Sequence, residues 1–83
     1  MSSNRALQEQ ICGIVASTFG LSPEQVGADA STQTLAAWTS LAHLRLMANI
    51  QQTFGLRLSM EDMIEMTSID AIERVLSANG IEA

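Results

Sequence analysis

Lysine and tyrosine are both missing from this 83-residue chain, and cysteine and proline occur once each. The lone Cys12 excludes an internal disulfide framework and leaves zinc-finger spacing without ligands. With only four arginines (Arg5, Arg45, Arg57 and Arg74) against nine acids, the formal charge is −5. Such a surface repels phosphate backbones and anionic lipid, so no nucleic acid and no membrane are expected as partners. No apolar run approaches the ~20 residues that cross a bilayer, and no basic-then-apolar leader opens the chain, so a cytoplasmic protein is expected. The acids themselves are unevenly placed. None lies between Ala30 and Met60, whereas five of the nine fall between Glu61 and Glu73.

What is present is apolar and helical in spacing. The apolar fraction is 47%, ample for a core, and the length implies one small domain over residues 1–83. A domain of this size buries only about 60% of its unfolded surface, which leaves a thin margin of stability. Leu7, Ile11, Ile14, Val15 and Thr18 recur every three or four residues and predict a first helix from near Ser3 to a stop at Gly20. In "LSPEQV", Ser22 is a cap, Pro23 suits a first helical position and Glu24 favours the helix dipole; this predicts a single turn within a long loop that runs to about Trp38.

A second helix is expected from Ser40 to Phe54-Gly55. Leu56-Arg57-Leu58 reads as extended, and Ser59 caps a short acidic helix through Met66. Thr67 or Ser68 opens the last helix, with Asp70 at capping-box distance from Thr67. Ile69, Ile72, Val75 and Leu76 form its inner face, and Asn79-Gly80 ends it. No alternating pattern is long enough for a sheet, and there is no internal repeat. The expected fold is all-α: a small four-helix bundle of three main helices plus one short helix.

The second helix has two apolar sides. At 100° per residue, Leu46, Ile50 and Phe54 share a narrow arc flanked by His43 and Met47, which is the expected core face. Leu41, Leu44 and Ala48 fall on roughly the opposite side, bordered by Arg45 and Gln52. Either another element covers this second arc or it is a docking surface. Ser40 stands at its N-terminal end, so a group attached to the Ser40 hydroxyl would project beside it. A helix N-terminus also favours a phosphate there.

With these features in place, the chain resembles the acyl and peptidyl carrier proteins over nearly its whole length. The resemblance rests on "FGLSPEQV" leading the loop, "LAAWTSLAHLRL" at the second helix, "QQTFGLRLSMEDM", and "TSIDAIERVL" at the end. Ser40 and Leu41 match the family's Asp-Ser-Leu motif, whose serine receives 4′-phosphopantetheine from coenzyme A. "WTSLAH" is similar to the Trp-Asp-Ser-Leu-Ala-His of free-standing carriers in specialised biosynthesis. The resemblance implies a monomeric carrier, not an enzyme in its own right, that holds an acyl or aminoacyl thioester on an arm at Ser40. The implied partners are a phosphopantetheinyl transferase, an acyl- or aminoacyl-activating ligase and a downstream synthase or transferase, docking on Thr39, Leu41, Leu44, Arg45 and Ala48.

The chain departs from the family at two points. Thr39 stands where the family has Asp, an acid similar to a recognition element for the loading transferase, although a threonine still caps a helix. The second helix, typically acidic in fatty-acid carriers, has no carboxylate here, so docking is expected to rest on apolar contact more than on charge steering. An alternative follows from Thr39: a carrier-like fold that is never modified and serves as a binding or scaffold module.

Other readings are weaker. Ser40 and His43, three residues apart, lack the nucleophile elbow and orienting acid of a serine hydrolase. His43 is expected at the core edge near Trp38, and Trp38 is expected to anchor the loop. Cys12 reads as a small buried hydrophobe, and Met47, Met60, Met63 and Met66 as core fillers. Glu61, Asp62 and Glu65 match no calcium loop and read as a solvated face, and no metal site is expected.

Overall fold

A computed structural model of the chain describes residues 5–81. Among them, helix α1 spans Arg5–Phe19, α2 Ser40–Phe54, α3 Met60–Glu65 and α4 Ile69–Ala78, with a single 3-10 turn at Pro23–Gln25. This is the expected all-α bundle of three main helices and a short one. The expected start of the first helix near Ser3 lies outside the described residues.

Apolar spacing builds the core. Leu7, Ile11 and Val15 recur at four-residue steps on α1 and are fully buried. That stripe packs α1 against both α2 and α4. From α2 come Leu46, Met47 and Ile50, and from α4 Ile69, Ile72, Val75 and Leu76. Each such side chain, moved fully from water to the interior, contributes about 1.5–3 kcal/mol. Phe54 is half-buried at the end of the same arc. Thr18 sits at the edge, its Oγ1 accepting a hydrogen bond from Asn49 Nδ2 at 2.8 Å.

The helix ends follow local chemistry. Gly20 and Gly55 adopt φ of 73° and 63°, the left-handed region that side chains resist. The turn lets Leu21 N–H reach the Ala16 carbonyl at 2.8 Å and Leu56 N–H reach that of Gln51 at 3.1 Å. In the loop, Ser22 N–H donates to Gln25 Oε1 at 2.9 Å, closing the turn that holds Pro23. Val26 and Ala30 then dock into the core.

A pair of backbone bonds fastens this loop to the distant α3–α4 junction. Ile69 N–H donates to the Ala30 carbonyl at 3.0 Å and Thr32 N–H to that of Thr67 at 2.9 Å. They form one isolated antiparallel bridge between Ser31 and Ser68, too short to be a strand.

Three expectations need correction. Thr67 does not cap α4; Ser68 does, its Oγ accepting from Ala71 N–H at 3.0 Å. The Thr67 carbonyl is taken by the loop bridge, and its own N–H bonds Glu65, so it stands outside the helix. Asp70 therefore closes no capping box and instead accepts from Arg74 at 3.2 Å on the surface, a pair worth about 0.3–0.5 kcal/mol. Among the methionines, Met47 and Met66 fill the core and Met63 packs against it, but Met60 is 74% exposed. It opens the six-residue α3, which has too little length to turn all its apolar residues inward. Glu73, read from sequence only as part of an acidic run, is buried, and its Oε1 accepts from Gln8 at 3.3 Å.

Of the two caps the sequence offered, removing Ser68 should be costly and removing Thr67 should not. Ser68→Ala should lower the free energy of unfolding by about 1 kcal/mol. Thr67→Ala should change it by less than about 0.5 kcal/mol. Urea denaturation of both variants distinguishes them.

Candidate functional site

The entry to α2 is shaped by three consecutive residues with different tasks. Trp38 is buried (4% exposed) and ends the long loop. Its ring stands 5.6 Å from that of Phe19, tilted by 59°, a favourable aromatic geometry. Thr39, extended at φ −85° and ψ 174°, caps the helix. Its Oγ1 accepts from Ala42 N–H at 3.2 Å, as expected for a threonine there. Ser40, the first residue of α2, is exposed. Neither its N–H nor that of Leu41 has a partner among the described residues, as the first turn of a helix dictates.

One turn on, His43 ties three segments together. Its Nδ1 accepts from the Trp38 indole N–H at 3.0 Å. Its Nε2 lies 2.8 Å from the Met63 carbonyl. An indole N–H can only donate and a carbonyl can only accept, so the ring is neutral with its proton on Nε2. The Met63 carbonyl needs this donor. It lies in the last turn of α3, and the N–H that would satisfy it in a longer helix, that of Thr67, bonds Glu65. His43 thus lies at the core edge beside Trp38, as its spacing implied, and Trp38 anchors the loop. With both ring nitrogens engaged, the imidazole has no lone pair free to take a proton from Ser40.

Trp38, Thr39, Ser40, His43 and Leu44 line one side of an open cleft of about 400 Å³, and Thr32 and Thr67 close the other. The two threonines could not be found from sequence. They arrive through the Ser31–Ser68 bridge, which joins segments far apart in the chain and has no local signature.

The second apolar arc of α2 is uncovered. Leu41 and Leu44 are 62% and 64% exposed, and Ala48 and Arg45 are exposed with them. No carboxylate pairs with Arg45 among the described residues. On the short α3, Met60 and Ile64 are exposed as well. Exposed leucines forgo much of the 1.5–3 kcal/mol each would gain by burial, so this face adds little to folding.

Elsewhere the chemistry is sparse. Cys12 is half-buried against the core; burial, and secondarily the Glu9 carboxylate, pushes its thiol pKa up, away from the reactive thiolate. Glu61 and Asp62 occupy the first turn of α3, where its dipole favours them. No group of three or more metal-ligating side chains occurs among the described residues. Nor is any of their helices long and apolar enough to cross a membrane.

A family model described as PP-binding, the phosphopantetheine attachment site, matches residues 9–76. The chain belongs to this phosphopantetheine-binding family of acyl and peptidyl carriers. Its prosthetic group is covalently attached 4′-phosphopantetheine. No curated protein sequence matches the chain. The site fits such a group: an exposed hydroxyl, two unpaired N–H groups to meet a phosphate, and an open cleft alongside.

The His43 bridge should carry measurable stability. Trp38→Phe, which keeps one aromatic ring but loses the hydrogen bond and part of the buried indole, should cost about 1–2 kcal/mol. His43→Ala leaves both the indole N–H and the Met63 carbonyl unpaired and should cost more, about 2–4 kcal/mol. Chemical denaturation of both variants checks the order and the gap.

Proposed function

We propose that Ser40 bears the 4′-phosphopantetheine arm and that the chain is one carrier unit presenting an acyl or aminoacyl group to the enzymes of a specialised biosynthetic pathway. The observation that carries this reading is the exposed Ser40 hydroxyl at the start of α2, beside unpaired N–H groups, in a chain of the phosphopantetheine family. In loading, the Ser40 oxygen gives up its proton and bonds the pantetheine phosphorus of coenzyme A. The pyrophosphate link breaks, and the nucleotide half leaves. Once attached, the arm supplies a terminal thiol that holds the carried group as a thioester.

The chain's own residues do the rest. Thr39 fixes the first turn of α2, so that Ser40 is held at a defined point and its N–H groups face outward. The unpaired donors and the helix dipole stabilise the phosphodiester charge by about 0.3–1 kcal/mol. Leu41, Leu44 and Ala48 give partners an apolar face, and Arg45 gives them one positive charge. Tethering then raises the local concentration of the carried group at whichever enzyme docks. The partners in this reading are a phosphopantetheinyl transferase, an activating ligase and a synthase or transferase downstream, which provide the chemistry.

The test is intact-protein mass after incubation with coenzyme A and a broad-specificity phosphopantetheinyl transferase. The chain should gain the mass of one phosphopantetheine, and Ser40→Ala should gain none. Thr39→Asp should keep the helix cap and load at least as fast. A folded chain that gains nothing, with or without Thr39→Asp, would contradict Ser40 loading and favour an unmodified binding module.

A further inference from the structure

A group carried on Ser40 could in principle lie outside the bundle or pass between α2 and α3 into the core. The second route begins where His43 stands. Its imidazole spans the gap, bonded on one side to the Trp38 indole at 3.0 Å and on the other to the Met63 carbonyl at 2.8 Å. Parting the helices would strand the His43 Nε2–H and a helix-end carbonyl at once, in a half-buried place where water is a poor substitute. Behind the bridge the side chains are closed off from solvent. Leu46, Met47, Ile50 and Met66 are at most 1% exposed, and none of them lines the cleft beside Ser40.

The cleft outside the bridge is different. It is open, about 400 Å³ in volume, and lined by Ser40 itself together with Trp38, His43, Leu44 and Thr67. That volume is of the order that holds one small ligand, and Trp38, Leu44 and the threonine methyls give it apolar walls.

From this arrangement we infer that His43 is a specificity-determining residue that closes the α2–α3 gap, so that the carried group stays in the outer cleft and the chain suits short or polar cargo rather than long alkyl chains. The inference rests on the reading that Ser40 bears the arm. A long alkyl group in this position would have only the open cleft to lie in, without the stabilisation that full interior burial gives. Short-chain acyl and aminoacyl groups lose nothing by staying outside.

The experiment loads the chain with acetyl, hexanoyl and decanoyl pantetheine amides and follows two readouts. One is Tm; the other is the amide NMR shifts of Leu46, Met47, Ile50 and Met66. For the unaltered chain, Tm should not rise from acetyl to decanoyl, and these core amides should not move. His43→Ala should have a lower Tm with every group, yet a Tm that rises with chain length as the opened gap admits the alkyl tail. A purely structural role for His43 would lower all values equally and leave no such slope.

His43→Asn, which keeps a polar side chain but is too short to span the gap, should show the same slope more weakly and serves if His43→Ala does not fold. A rising Tm and shifted core amides in the unaltered chain would overturn the inference, as would flat behaviour in both the chain and its variants. If mass spectrometry shows no loading, it is the Ser40 reading that fails. S-decanoyl pantetheine titrated into the unloaded chain then decides the matter from the same amides, unmoved in support or shifted in contradiction.

Discussion

The two hydrogen bonds of the His43 imidazole hold the functional end of this small bundle together. The long loop arrives at Trp38, α2 starts two residues later, and α3 is too short to satisfy its own last carbonyls. One neutral side chain with a donor at one nitrogen and an acceptor at the other serves all three. Phe19 backs the indole from α1, so the bridge is tied to the first helix as well. Ser40 is presented at a fixed point because its neighbours on either side are fixed: Thr39 by its cap and His43 by its bridge.

With the core supplied by one side of α2, the other side is left exposed. The stability of a chain this short depends on a few fully buried residues, with Leu7, Ile11, Val15, Leu46, Ile50 and Leu76 among them. Leu41 and Leu44 add nothing to that core. They are exposed beside Ser40, on a helix with one arginine and no carboxylate. The protein's net charge of −5 resides largely elsewhere, on α3, α4 and their flanks.

Much of this was legible in the sequence because it is local. Helix periodicity, the glycine after Phe19 and after Phe54, the Ser22-Pro23 turn and the Thr39 cap each depend on residues a few positions apart. So did the two-sided character of α2 and the pairing of Trp38 with His43, which are five residues apart. The features that were not legible are tertiary. Whether Thr67 or Ser68 caps α4 is decided by a backbone bond to Thr32, far upstream. Buried Glu73 accepts from Gln8, at the other end of the chain. That His43 completes α3 depends on a carbonyl, and every residue has one, so no residue type announces it. Met60 misled because methionine suits a core, while the brevity of α3 left it outside.

The tautomer of His43 is the most direct test of these relations. A long-range proton–nitrogen NMR correlation of the imidazole reads which ring nitrogen carries the proton. The bridge predicts a single neutral form protonated at Nε2, with Nδ1 bare and shifted by the Trp38 indole that donates to it. A ring protonated at Nδ1, or one averaging between tautomers as it would in water, would contradict the bridge and the ordered presentation of Ser40 that depends on it.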